Sequence, residues 1–292
     1  MNKEFNKGLL LAGFGSFWWG FFGVIYFKYI SYIGHIELVV HRCLWTTFTL
    51  IVTTFFFSKW DIFFKIIKNK SNLFYLFISG FLIFINWSVW IYAIATNKII
   101  DASFGYFVMP ILSVMLGYIF FKEVLNKKRI FSILLVVLSI LYLIIVSFKS
   151  LPWVGLIVAF SWAFYNLVRK KINVDTDIGL LIESIFILPF ALVAFYIIAN
   201  NGYNDFSISD PPMMLFIFLA GPMTVIPLFL YVRGVELCGL GPAGMIFYIT
   251  PTLQFLLGYF YYNEPFSITK LVSFIFIWIA VIIYIKDLHE TN

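Results

Sequence analysis

The 292-residue chain is 62% hydrophobic and only 12% charged, whereas a soluble domain has roughly 45–50% apolar and about 25% charged residues, so a soluble globule is excluded. Its formal charge of +6 comes from short Lys/Arg clusters between apolar runs, which read as orientation signals at a lipid bilayer and not as a nucleic-acid surface. Cys43 and Cys238 form no CxxC pair or disulfide framework, so no metal and no cofactor is expected.

Apolar runs of about 17–25 residues, the length of a spanning helix, fall at 8–30, 36–57, 73–96, 99–121, 130–148, 152–170, 178–199, 214–237, 242–262 and 268–286. They are long and continuous, where a membrane barrel would show stretches of about ten residues with alternating polarity. The expected fold is therefore an all-α membrane protein with ten transmembrane helices. The first run exceeds a signal-peptide core and lacks a small-residue cleavage site, so it is expected to stay in the mature protein. Of the 20 Lys and Arg, only Lys28, Lys98, Lys149 and Lys270 fall at outer ends when the N-terminus is placed inside. Arg42 lies within a run, and the remaining cations sit at inner ends. Both termini are thus expected to be cytoplasmic. The longest outer loop, 200–212, carries Asp205 and Asp210 and no cation.

Laid on itself with a shift of 141 residues, the sequence superposes Pro110, Gly117, Tyr118 and Glu123 on Pro251, Gly258, Tyr259 and Glu264, and Ala102 on Ala243. Five runs per half is an odd number, so the second copy crosses the membrane in the opposite sense. Two inverted five-helix repeats, 1–148 and 149–292, are expected. Such repeats recur in transporters, with the solute site near mid-depth between the halves.

Ionisable groups inside hydrocarbon are costly and usually face a bundle interior or an aqueous cavity. Arg42 lies about 9 Å into the second run at 1.5 Å per residue, with His41 beside it. Glu183 in the seventh run falls opposite Arg42 under the same shift. Together they suit a small zwitterion, its carboxylate at Arg42 and its ammonium at Glu183, or a proton cycling on Glu183, with His41 a second coupling candidate. A structural ion-pair network, or Arg42 snorkelling outward, is the competing reading. Glu37, near the outer boundary, reads as interfacial.

Asn86 and Pro227 coincide under the shift, one bringing an amide and the other freeing a backbone carbonyl. Pro110 and Pro251 are the corresponding helix breaks in runs four and nine. Trp87 and Trp90 flank Asn86, while Trp162, Tyr165 and Asn166 share one helix face at i, i+3 and i+4. With Trp18, Trp19, Tyr106 and Tyr248 they are candidate pocket linings for an aromatic or cationic solute. Ordinary packing competes for each ring, since aromatics are 22% of the chain. Run five has no charge, Gly or Pro over 130–145, and run ten is similarly aliphatic and aromatic over 271–285, so both fit lipid-facing or subunit-facing helices, a homodimer being compatible with the latter.

As a set, these residues resemble the EamA family, RarD type, of the drug/metabolite transporter superfamily. The resemblance covers nearly the whole chain. It is carried by His41-Arg42, Asn86-Trp87, Ser103-Phe104-Gly105-Tyr106-Phe107 before Pro110, Phe164-Tyr165 with Leu167-Val168-Arg169-Lys170-Lys171, Ile182-Glu183, Pro251-Thr252-Leu253 and Phe276-Ile277-Trp278. Asn166 stands where the family leads one to expect Gly. The resemblance implies an inside-out 5+5 fold in the cytoplasmic membrane, a central cavity lined by both repeats, and alternating access. It also implies relatives described as chloramphenicol-related or as exporters of amino acids and metabolites.

The function expected is secondary transport of a small amphipathic solute such as an amino acid, amine or drug-like molecule, with proton coupling an open alternative. A passive, channel-like facilitator is the second reading. An enzyme is not expected, because the chain has no HExxH or GxSxG motif, and no GxxxxGKS/T loop is present to couple nucleotide hydrolysis.

Overall fold

In a computed structural model the described residues are 3–30, 32–95, 99–147, 153–206, 210–261 and 268–291. Lys98, Lys149 and Glu264 lie outside them. The described residues are predominantly helical, and no strand occurs among them. Helix is the solution for these runs because lipid supplies no partner for backbone N–H and C=O groups, which must be satisfied within the segment.

The first apolar run forms α1 (Lys3–Trp18), a π-helical turn (Trp19–Gly23) and α2 (Val24–Tyr29). There follow α3 (His35–Phe56), α4 (Trp60–Ile67), α5 (Lys70–Ala95), α6 (Ile99–Phe121) and α7 (Lys127–Ser147). The second half comprises α8 (Trp153–Lys171), α9 (Thr176–Asn200), α10 (Pro211–Phe218), α11 (Ala220–Cys238), α12 (Leu240–Ile246), α13 (Ile249–Phe260) and α14 (Ile268–Thr291). Among the described residues, seven helical stretches are long and apolar enough to cross a membrane. The other apolar runs are held by α6, by α8, and by α12 with α13.

The short helix α4 was not among the expected elements. Trp60, Phe63 and Ile66 recur at helical spacing within a loop that also carries Lys59, Lys65 and Lys68. Local chemistry sets several of the helix ends. Asn69 Oδ1 accepts from the N–H groups of Ser71 and Asn72, both at 3.1 Å, at the start of α5. Asp210 caps α10 through Met213 N at 3.1 Å, with Pro211 in the first turn. Glu123 reaches from the end of α6 to the start of α12, accepting from Leu240 N at 2.7 Å and Gly241 N at 2.8 Å.

The expected proline breaks are only partly present. Pro251 follows the junction between α12 and α13. With no N–H at 251, the Phe247 carbonyl accepts instead from Thr250 N at 2.9 Å, a tighter turn that ends α12. Pro110 and Pro227 lie inside continuous helices α6 and α11 and interrupt neither. The interruption in the eighth run falls at Leu219, where Pro222 removes the donor that would have bonded the Phe218 carbonyl.

The helices pack as α1 on α11, α8 against α5 and α6, α3 on α9, and α7 on α14. Small residues allow the closest of these approaches. A Cβ added at Gly234 of α11 would sit 2.6 Å from the Ala12 backbone nitrogen of α1, so this crossing requires glycine. Helices α3 and α9 run antiparallel. Glu37 near the start of α3 meets residues 205 and 206 just past the end of α9, and Lys59 beyond the end of α3 meets Asp177 in the first turn of α9 at 2.5 Å. Helices α7 and α14 are antiparallel too, with Asn126 and Arg129 contacting Asp287 at 2.6 and 2.8 Å.

Candidate functional site

A pocket opens where the π turn, α2, α3, α5, α6, α8 and α13 converge. Of the residues singled out from the sequence, Trp19, Arg42, Asn86, Trp87, Trp90, Tyr106 and Trp162 line it. The lining also includes Gly23, which with Trp19 belongs to the π turn, a wider local helix of a kind frequent at functional sites. Phe27, Phe247, Thr250 and Gln254 line it as well, and none of these four was singled out from the sequence.

Arg42 is 4% exposed. Its Nε donates to Thr224 Oγ1 of α11 at 3.1 Å. The guanidinium carbon lies 4.5 Å from the Trp87 ring centre, 4.8 Å from Phe27 and 5.9 Å from Trp90, within cation–π range of all three. Asn86 Nδ2 donates to the Val158 carbonyl at 3.0 Å and to Ser161 Oγ at 3.1 Å, fixing the amide against α8. Across the pocket, Trp19 meets Trp162 edge to face at 5.0 Å, and Phe247 lies 5.7 Å from Tyr106 and 6.2 Å from Trp162. The result is an aromatic chamber with one cation in its wall.

The remaining candidates are elsewhere. Glu183 does not face Arg42, so the pair does not form the two-ended clamp expected for a zwitterion. Its carboxylate is engaged within the bundle instead. It accepts from Ser79 Oγ at 2.5 Å and Tyr165 OH at 3.2 Å, and it pairs with Arg169 Nε at 3.5 Å. Arg169, fully buried, also contacts Glu236 at 3.5 Å and donates to the Thr176 carbonyl at 3.2 Å. Glu236 accepts further from Thr176 Oγ1 at 2.7 Å and Arg233 at 2.9 Å. Gly179 makes room for this group, since a side chain there would collide with the Arg169 guanidinium.

Tyr165 therefore points to this ionic cluster, although its ring still stacks on Trp162 at 5.5 Å. Asn166 turns back on its own helix, donating to the Trp162 carbonyl at 2.9 Å. Tyr248 is packed with Phe107, Val114 and Ile277 and donates to the Phe107 carbonyl at 2.9 Å. None of these three lines the pocket.

His41 and Glu37 belong to a second polar group at the opposite end of the bundle from the Arg169 cluster. Glu37, expected at the interface, is buried. It accepts from Asp205 N at 2.6 Å and Phe206 N at 3.0 Å, while Asp205 Oδ2 accepts from Gly34 N at 2.7 Å. The two side chains thus tie the segment after α9 reciprocally onto the start of α3. His41 Nε2 lies 3.4 Å from Glu37, its ring against Phe195 and Phe206. Among the described residues no group of His, Cys, Asp or Glu is placed to hold a metal ion.

The EamA-like transporter family matches this chain twice, over residues 6–145 and 150–286. The protein RarD of Escherichia coli is 34% identical over 290 residues, covering 99% of this chain and 97% of its own. The chain is a RarD-type member of the EamA-like transporter family. An uncharacterised transporter of Bacillus subtilis, YojE, is 32% identical over 97% of this chain and 95% of its own. One crystal structure superposes with a TM-score of 0.70 at 12% identity, covering 94% of this chain and 96% of that one, a likeness of fold alone. This EamA-like protein is a multi-pass membrane protein of a transporter family, and its Bacillus subtilis relative is named as a transporter.

Proposed function

We propose that this EamA-like protein is a secondary transporter that carries a small amphipathic solute through the Arg42 pocket by alternating access. It crosses the cytoplasmic membrane ten times with both termini cytoplasmic. The two five-helix units, 1–148 and 149–292, are inverted with respect to each other. The observation that carries this reading is a pocket walled by α2, α3, α5 and α6 from one unit and α8 and α13 from the other, lying between two polar clusters.

Support for the repeat comes from the helix starts. Helices α3, α5, α6 and α7 begin at 35, 70, 99 and 127, and α9, α10, α12 and α14 begin at 176, 211, 240 and 268, each 141 residues later. Under that shift α3 corresponds to α9 and α7 to α14, and each packs antiparallel on its own counterpart, as an axis lying in the membrane plane requires. The hydrogen bond from Tyr248 to Phe107 links two positions separated by the same 141 residues.

The clusters divide the labour of access. The tie between Glu37 and residues 205–206 closes the outer side, and the Arg169–Glu183–Glu236 group closes the cytoplasmic side. Opening either side requires breaking its polar contacts, and protonation of Glu183 weakens the inner one by removing the charge that faces Arg169. Glu183 is thus the coupling residue in this reading, acting beneath the pocket and not within it. His41 touches only the outer tie.

Uptake into proteoliposomes tests the proposal. After a thermal-shift screen of amino acids, quaternary amines, nucleosides and amphenicols, the stabilising compounds are assayed as radiolabelled solutes. Saturable uptake that accelerates under an imposed proton gradient is expected. Flux that neither saturates nor responds to the gradient would establish the passive facilitator instead.

A further inference from the structure

The three deeply buried arginines differ in one respect. Arg129 meets Asp287 at 2.8 Å, and Arg169 meets Glu183 and Glu236, both at 3.5 Å. Arg42 has no carboxylate within ion-pair distance among the described residues, and the neutral hydroxyl of Thr224 is its one hydrogen-bond acceptor. Arginine stays charged in proteins and presents its N–H donors as a planar fork. A cation buried without a counter-charge is strongly unfavourable, and the rings of Trp87, Phe27 and Trp90 offset this only in part. Arg42 lines the pocket.

We propose that the pocket takes a monoanion, a solute with one carboxylate that docks on Arg42 and a flat apolar body that lies among Trp87, Trp90, Trp162 and Phe247. The inference rests on the reading of this pocket as the solute site and names the class of solute. The bound carboxylate is the counter-ion that the protein itself does not supply, and its two oxygens match the guanidinium fork. The described lining contains no Asp or Glu, so among the described residues an ammonium group on the solute finds no partner there, and Glu183, the acid expected to serve a zwitterion, is held by Arg169. A phosphate dianion would need a second cation, and the described lining has none besides Arg42. Asn86, Thr250 and Gln254 provide neutral hydrogen-bonding groups for uncharged substituents.

Calorimetric titration of the purified full chain with four probes built on a phenyl ring tests the assignment: 3-phenylpropionate, its amide, L-phenylalanine and 2-phenylethylamine. The acid is expected to bind about tenfold or more tightly than each of the others, the size of one charge-assisted bidentate contact. Arg42→Gln is expected to remove the advantage of acid over amide, bringing the two affinities within about threefold of each other. If the variant does not fold, the ranking of probes on the parent protein decides alone. The proposal is overturned by phenylalanine or phenylethylamine binding as tightly as the acid, by an unchanged acid preference in Arg42→Gln, or by failure of the acid to bind at millimolar concentration. Proteoliposome flux separates the two readings. An acid that binds but is not moved supports the anion site and overturns transport, and equal flux of acid and amide supports transport and overturns the anion site.

Discussion

Replacing Arg169 with Met is expected to destabilise the folded protein by about 3–5 kcal/mol, the cost of breaking a buried ion pair by removing one partner. The side chain is fully buried and faces two carboxylates, those of Glu183 and Glu236. Its loss leaves both acids close together without the shared cation, and it also removes the bond to the Thr176 carbonyl. Thermal unfolding in detergent measures the effect. Adding Glu183→Gln to Arg169→Met is expected to recover part of the loss, because the second change removes one of the stranded charges, and the double-mutant cycle then isolates the pair's coupling. Additive effects of the two substitutions would show that the residues do not communicate and that the cluster is no closure.

Glu183→Gln alone is expected to abolish gradient-driven uptake while the protein still folds and inserts. The amide oxygen accepts from one of the two hydroxyls, Ser79 or Tyr165, and the amide N–H₂ donates to the oxygen of the other, so both hydroxyl contacts have a neutral counterpart, while Arg169 loses this ion pair and keeps Glu236. What the amide lacks is the ability to take up and release a proton. Exchange of solute between equal pools, which needs no net proton movement, is expected to persist in proteoliposomes. Uptake that still follows an imposed pH gradient in Glu183→Gln would remove this residue from the coupling step.

The helices were legible because a spanning segment announces itself by length and apolarity, signals that depend on no distant residue. Arg42 and Asn86 were legible for a related reason, since polar side chains are rare inside such segments and seldom idle there. Gln254 carries the same signal as Asn86 and was overlooked. Phe27 and Phe247 were not distinguishable among 37 Phe residues, because lipid-facing and pocket-facing rings have the same local pattern. The partners of Glu183 were beyond the sequence for another reason. Arg169 reads as part of a loop cluster with Lys170 and Lys171, yet the chain turns back so tightly between α8 and α9 that its guanidinium is buried against Gly179 and Thr176. Glu37 was misread as interfacial because the segment that covers it, residues 205 and 206, lies 168 positions and more away in the chain.

The opposed orientation of the two units is the premise on which the pocket, the two closures and the exchange of access between them all depend. It is tested most directly by placing single cysteines just past the ends of the corresponding helices α3 and α9, at Ser58 and Asn201, in a background where Cys43 and Cys238 are replaced with Ser. Labelling intact cells with a membrane-impermeant maleimide is expected to modify the cysteine at 201 and spare the one at 58 until the membrane is opened. Labelling of both sites from outside, or of neither, would contradict the account.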